Sequence, residues 1–353
     1  MKSVLFFIIL LTCSTIHAQN KIEQQVTKNR QRVDTNYVRS YKKFFTVGLF
    51  ISAPSNTLTI TPKDSTIKTN TYRTNLASII GFTVGYKSIY AAVGFRAPIE
   101  ASSYSKYGKS KFKSFSIGTQ NTRFFVRFDF RRINGFYNSD SIVYVLSKNS
   151  REYLKRSDVN TKQIMVSGLY NFSWKKYSYL SSFTFSEHQL RTRVGFMIKS
   201  SVSWNQLRSD SSLINLKNSP VVNNGIQELH YTSFIVGPGM GLNLVIAKRI
   251  YFSMMLFLSY DFVTYKFIDN NKNTLNQNNS FTAFFEERVA LGYHTKRFYA
   301  GIKFMADQIQ VQTLDYKVGN LYSSFTFDVG YRFNAPGILK KTYKNTFTRF
   351  LGL

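Results

Sequence analysis

The chain has 353 residues, of which 43% are hydrophobic and 16% aromatic, and 47 Lys and Arg against 18 Asp and Glu give it a formal charge of +29. That length holds one large domain or two ordinary ones. The body of the chain has no run of about 18 apolar residues, which excludes an α-helical membrane protein. The basic charge is dispersed and comes without zinc-finger, Walker or dinucleotide motifs, so it does not point to nucleic acid.

The chain opens as an export signal would. Lys2 supplies the charge, Val4 to Leu11 the short apolar core, and "STIHAQN" a cleavage region, with the cut after Ala18. A signal peptide is therefore expected over residues 1–18. The only cysteine, Cys13, follows Thr12, a poor residue ahead of an acylated cysteine. The mature chain is then cysteine-free and can build neither a disulfide nor a thiolate metal site. Residues 19–43 are polar, lack alternation and read as a periplasmic leader.

From Phe44 a two-residue period sets in and recurs to Phe333. Successive side chains of a strand point to opposite faces. "FFTVGLFISA" thus sets Phe45, Val47, Leu49 and Ile51 against Thr46, Gly48 and Ser52. "SIIGFTVGY", "IYAAVGFRA", "FSIGTQ" and "FFVRFDFR" follow, then "IMVSGLYNFSW", "YSYLSSFTF", "VGFMIKSSVSW", "TSFIVGPGMGLNLVIA" and "IYFSMMLFLSYDFVT". "FEERVALGYH", "FYAGIKFMADQ" and "LYSSFTFDVGYRF" complete the series. The runs are long enough to cross a bilayer when tilted. Their second face is rich in Gly, Ser and Thr, and the apolar face often ends in Tyr86, Trp174, Tyr177, Trp204, Tyr260 or Phe333, as interfacial girdles do. A soluble sandwich, the competing fold, has shorter strands and a mainly aliphatic core. The pattern predicts an all-β fold, a transmembrane antiparallel up-and-down barrel over 44–333.

Connections refine the count. Very short ones at 87–88, 121–122, 175–176, 248–249 and 295–296 read as periplasmic turns. Long polar ones near 54–75, 98–111, 132–161, 218–230, 266–280 and 310–320 read as outer loops. The two kinds alternate except around 187–230, and an extra strand at 211–217, "SSLINLK", restores both alternation and an even number. Fourteen strands are expected, with twelve as the alternative.

With the strands laid out, "KSKFKSFSIGTQNTRFFVRFDFRRINGFY", "RSDVNTKQIMVSGLYNFSWKKYSYLSSFTFSE" and "SDSSLI" resemble a Bacteroidota domain-of-unknown-function family of exported, presumed outer-membrane barrels. The resemblance runs from about "DTNYVRSY" (34–41) onward, with Ser157 where Pro is expected and Ser114 where Asp is common. It implies a barrel in the outer membrane of a Gram-negative bacterium and supplies no activity.

Strand parity turns Arg123, Arg127, Asp129, Arg131, Arg193, Lys199, Asp261, Arg288, Lys303, Asp307, Asp328 and Arg332 toward the bore. An excess of fixed positive charge in a wet bore favours anions. Charges that pair across strands and fill the lumen would be structural instead. His188 lies beside Ser186 and Glu187, and His230 near Thr232 and Ser233, the residue types of a barrel hydrolase. In a strand, however, Ser233 points away from His230, and a nucleophile must lie within about 3 Å of its base. No cluster has metal-ligand spacing, and neither a cofactor nor catalysis is expected. The closing strand, through Phe325, Phe327, Val329, Tyr331 and Phe333, resembles the signal read by barrel assembly machinery. The basic tail, 334–353, has no apolar period and should lie outside the barrel. Outer-membrane lipids are the expected surroundings, with loop Lys and Arg facing lipopolysaccharide phosphates. The function expected is a passive channel with anion preference, the alternative a structural or surface-interaction barrel with a plugged lumen, and a lipid-modifying hydrolase a remote third.

Overall fold

The computed structural model describes residues 33–63, 68–98, 100–145, 150–213, 226–269, 274–312 and 316–343. The expected signal peptide, leader residues 19–32 and tail residues 344–353 lie outside them.

The chain forms β1 (Val38–Ser40), β2 (Phe44–Pro62), β3 (Asn70–Arg73), β4 (Ile79–Tyr86), β5 (Ile89–Arg96), α1 (Ala101–Tyr107), β6 (Lys111–Thr119) and β7 (Phe124–Val145). It continues with β8 (Ser150–Asn171), α2 (Leu180–Phe183), β9 (Glu187–Gln189), β10 (Arg193–Arg208), β11 (Ile226–Ala247) and β12 (Ile250–Asp269). β13 (Thr274–His294), β14 (Phe298–Gln312), β15 (Tyr316–Asn334) and α3 (Gly337–Thr342) end the described chain. All strands from β2 to β15 except β3 and β9 join antiparallel in one ring, and β15 returns to β2 in register from Tyr316↔Pro62 to Asn334↔Phe44. The ring is closed and leaves no edge, which is how a sheet satisfies its backbone in lipid. It has twelve strands, the smaller of the two expected counts.

Two runs account for the difference. "YSYLSSFTF", residues 177–185, is not a strand but carries α2 and turns into the bore. Residues 211–213, the described part of the expected "SSLINLK" strand, are not in a strand, and 214–217 lie outside the described residues. Alternation of large side chains arose at 177–185 because both of its faces are buried: Tyr177, Tyr179 and Leu180 have no exposed surface, so Tyr177 is no girdle residue.

The strands are also longer than a crossing requires. About 9–11 tilted residues span a bilayer, whereas β7, β8 and β11 have 22 each. β12 shows what the surplus does. From Ile250 to Phe262 its outward residues are Ile250, Phe252, Met254, Leu256, Leu258, Tyr260 and Phe262, the lipid band. Beyond that point polarity inverts, with Thr264 and Lys266 outside and Val263, Tyr265 and Phe267 buried inside. The stretches expected as long polar loops at 132–161, 54–75 and 266–280 are therefore largely strand that rises beyond the lipid band. Their inward residues, among them Leu58, Ile60, Ile133, Phe136, Leu207, Leu229, Tyr231, Val263 and Tyr265, form one apolar cluster across this end of the bore. Among the ring strands only β4 to β6 stay short, and β3 bridges β2 and β7 at that end, with Asn75 hydrogen-bonding to Ser110 and Gly108.

Candidate functional site

At the opposite end, the one with short turns and both ends of the ring, residues 172–192 fold into the barrel. Asn171 directs this entry. It is fully buried, and its Nδ2 donates to the carbonyls of Thr122 (3.1 Å) and Tyr177 (2.9 Å). Gln189 closes the segment on itself, Oε1 accepting from the Ser178 N–H (2.9 Å) and Nε2 donating to the Lys176 carbonyl (2.7 Å). Inside, Tyr177 lies on Gly195 and Gly241, and Phe185 on Gly301, so close that a Cβ at any of these glycines would overlap the ring. The Gly-rich inner face of the strands thus makes room for aromatic rings rather than for water. Tyr177, Tyr179 and Leu180 pack with Phe125, Leu169, Met197, Met255 and Phe257, a second apolar cluster within the bore.

The mouth is sealed by the leader. β1 pairs antiparallel with β9 through Val38↔Gln189, Arg39↔His188 and Ser40↔Glu187. Residues 38–40 are therefore a strand and not free leader. Glu187 meets Lys42 Nζ at 2.7 Å, accepts from Thr122 Oγ1 at 2.6 Å, and also accepts from Ser178 Oγ. His188 is buried here rather than interfacial, stacked on His294 at 5.1 Å, and neither ring nitrogen has a hydrogen-bond partner among the described residues. Burial first, then the charges of Arg39 and Arg332, lower its pKa to about 4.

Arg332 holds the segment from the wall. It has no exposed surface and no carboxylate within ion-pair distance among the described residues. Nη2 donates to the Phe185 carbonyl at 2.6 Å and lies 2.9 Å from His294 Nδ1, while Nη1 donates to the Thr295 carbonyl at 2.8 Å. Because guanidinium only donates, Nδ1 of His294 is the unprotonated nitrogen. The Tyr41 ring covers the cation at 4.0 Å. Carbonyl acceptors and an aromatic face together offset the desolvation of this buried charge.

The other expected lumen residues divide as follows. Arg127 pairs with Asp129, Lys199 with Glu286, Lys303 with Asp328 at 2.9 Å and Arg288 with Asp307 at 3.7 Å. Asp261 is buried and accepts from Ser233. Arg131 reaches across the bore to the Tyr322 ring, 3.7 Å away. Two placements need correction. Arg123 precedes β7, where ladder alternation has not begun, and its exposed guanidinium rests against Tyr170 and Trp174 on the outside. Arg193 opens β10 at the rim, exposed, with Nη2 donating to Tyr37 Oη at 2.9 Å. His230 faces outward, 2.8 Å from Glu228, while Ser233 lies in the bore. Phe325, Phe327, Tyr331 and Phe333 are exposed on the lipid face, and Val329 shares it.

Between the inward segment and the outer apolar cluster remains a chamber of about 250 Å³. Ser182 to Ser186 form its floor, with Arg127, Asp129, Arg131, Arg288, Lys303 and Asp328 among its walls. The sequence did not disclose this arrangement. Its legible trace was the glycines alternating along the inner face.

A closed ring with an apolar belt outside and charges inside defines a transmembrane β-barrel of the outer-membrane class. Within that class, the chain belongs to the family described as Domain of unknown function (DUF4421), whose model matches residues 32–333. No curated protein sequence matches it. Similar solved structures include the outer membrane protease OmpT from Escherichia coli, at 9% identity over 84% of this chain and 98% of that one, with a TM-score of 0.37. The COG4313 outer membrane channel from Pseudomonas putida F1 gives 6% identity, 82% and 96% coverage and 0.34. The translocator domain of the autotransporter NalP from Neisseria meningitidis gives 13%, 91% and 98%, and 0.33.

Proposed function

We propose that the protein is a plugged barrel of the Gram-negative outer membrane, structural or engaged in surface interaction, and does not conduct as an open pore. One observation carries this reading: the bore is filled at its short-turn end by 172–192 and at its other end by the apolar cluster around Leu58, Phe136, Leu229 and Tyr265. The short-turn end is read as periplasmic, so the strand extensions face the outside. There Lys106, Lys109, Lys111 and Lys113 are exposed around α1 and suit lipopolysaccharide phosphates. The reading includes no catalysis, in keeping with His230 and Ser233 on opposite faces of β11. The competing channel reading, with anion preference, draws support from the basic chamber and requires the plug to move. Planar-bilayer recording of the refolded protein tests the proposal. Silence at neutral pH is expected, and a stable open level from the intact barrel would overturn it.

A further inference from the structure

The chamber is more selective than a residual void. Of the four cations on its walls, Arg127, Arg288 and Lys303 each have a carboxylate partner. Arg131 has neither a carboxylate within ion-pair distance nor a hydrogen-bond acceptor among the described residues, and the Asp307 carboxylate, paired with Arg288, acts on it only at longer range. Only the Tyr322 ring holds it, at 3.7 Å from the guanidinium carbon. A ring under the flat face fixes the plane of the guanidinium and leaves its in-plane N–H groups free, the edge that takes a carboxylate through two parallel hydrogen bonds. Ser114 lies opposite Arg131 in the β6–β7 ladder and, with Ser324, lines the chamber to supply hydroxyl donors. Beside this polar corner the walls turn apolar, through Phe50, Ile79, Phe112 and Met255.

We infer that the chamber binds a small organic monoanion, its carboxylate received by Arg131 and its apolar body lodged against Phe50, Ile79 and Phe112. Size and charge narrow the class. A volume of about 250 Å³ falls below the range of drug-sized ligands, about 300–1,000 Å³. Asp129 and Asp328 on the same walls repel a multiply charged ligand, and an inorganic anion leaves the apolar wall uncovered. This goes beyond the plugged-barrel reading: Arg131, Ser114, Ser324 and Tyr322, which receive the carboxylate, lie on the barrel wall, while Ser182 to Ser186 of the plug close the floor, so the size limit rests on that reading.

The test uses 4-fluorobenzoate as probe. The full chain is refolded in detergent micelles with the probe present, so that sealed ends do not limit entry, and binding is followed by fluorine NMR. Saturable binding to a single site is expected, reduced at least tenfold by Arg131→Gln, unchanged by Arg132→Gln on the outer face, and absent for 4-fluorobenzyl alcohol. Heat-modifiable electrophoretic mobility reports that each variant is folded, and Arg131→Lys, which keeps the charge but not the fork, should bind weakly. Folded barrel that binds no probe, binds it equally well with Arg131→Gln, or binds the alcohol as tightly overturns the assignment. A barrel that conducts yet binds the probe refutes only the closed-pore reading, and one that is silent yet fails to bind refutes only this inference.

Discussion

Arg332 of the closing strand donates to the carbonyl of Phe185, 147 residues earlier, at 2.6 Å, and this contact ties the inward segment to the wall. The same guanidinium serves the Thr295 carbonyl and His294, so its loss strands several buried acceptors at once. Leaving a buried acceptor unmet costs about 1–3 kcal/mol. Arg332→Met should therefore lower the stability of the folded barrel by at least about that amount in urea titrations, and should speed tryptic cleavage at Lys175, Lys176 or Arg191, whose side chains are exposed but whose backbone the folded segment holds. Unchanged protection of those sites would show that the segment is held by its aromatic packing alone.

The inversion of polarity along β12 sets the edge of the lipid band between Phe262 and Thr264. Leu258→Arg places a charge in lipid and should cost about 2–4 kcal/mol near the midplane. Thr264→Arg, on the same outward face but beyond the band, should cost about 0–1 kcal/mol. Equal losses of folded barrel for both would put the boundary elsewhere.

His188 makes the plug sensitive to acid. Its pKa in the fold is about 4, below the unfolded value near 6.5. The unfolded chain therefore binds the extra proton first, and stability is full above about pH 6.5 and declines as pH falls toward 4, by up to about 1.4 kcal/mol for each pH unit. A proton on His188 would face Arg39, Arg332 and His294, and no carboxylate is positioned to receive it, since both ring nitrogens lack partners. Tryptic cleavage within 172–192 should rise between pH 6.5 and 4, and His188→Asn should flatten that rise. A pH profile identical in the variant would assign the sensitivity to another group.

The closing strand and the tail separate two requirements. β15 pairs with β2 as far as Asn334, whereas α3 lies beyond the ring, with Tyr343 edge-on to Tyr86 at 5.6 Å. Ending the chain after Asn334 should leave membrane assembly largely intact, while Asp at both Tyr331 and Phe333 should abolish it. Fractionation of the two variants decides the matter; insertion of the double Asp variant together with failure of the truncation would reverse the assignment.

The lipid-crossing part of the fold was legible because one physical fact, apolar outside and polar inside, repeats at period two across every crossing. At 132–161 the same strands continue with the pattern inverted, Ile133, Phe136 and Val159 inside and charge outside. Without an apolar outer belt that stretch resembles a polar loop. The plug is illegible for the opposite reason. Tyr177, Tyr179 and Phe185 alternate as a strand would, yet nothing local tells that both faces are buried. Most of the inward charges followed from parity alone. The pairing of Lys199 with Glu286 did not, because β10 and β13 are not neighbours in the ring. Arg332 was placed inward by parity, but its role depends on carbonyls of Phe185 and Thr295, which no side-chain pattern encodes.

Residues 172–192 fill one end of the bore. Replacing 174–194 with Asn-Gly joins β8 to β10 by a two-residue hairpin that keeps the register implied by Asn171↔Met197. Single-channel recording of this variant beside the intact protein is the most direct measurement. The intact barrel should be silent and, once the plug is gone, show intermittent anion-preferring conductance that becomes steady when Leu229 and Tyr231 of the outer cluster are also replaced by Ser. A folded variant that stays silent after both changes, or an intact barrel that conducts as well as the excised one, would contradict this closure.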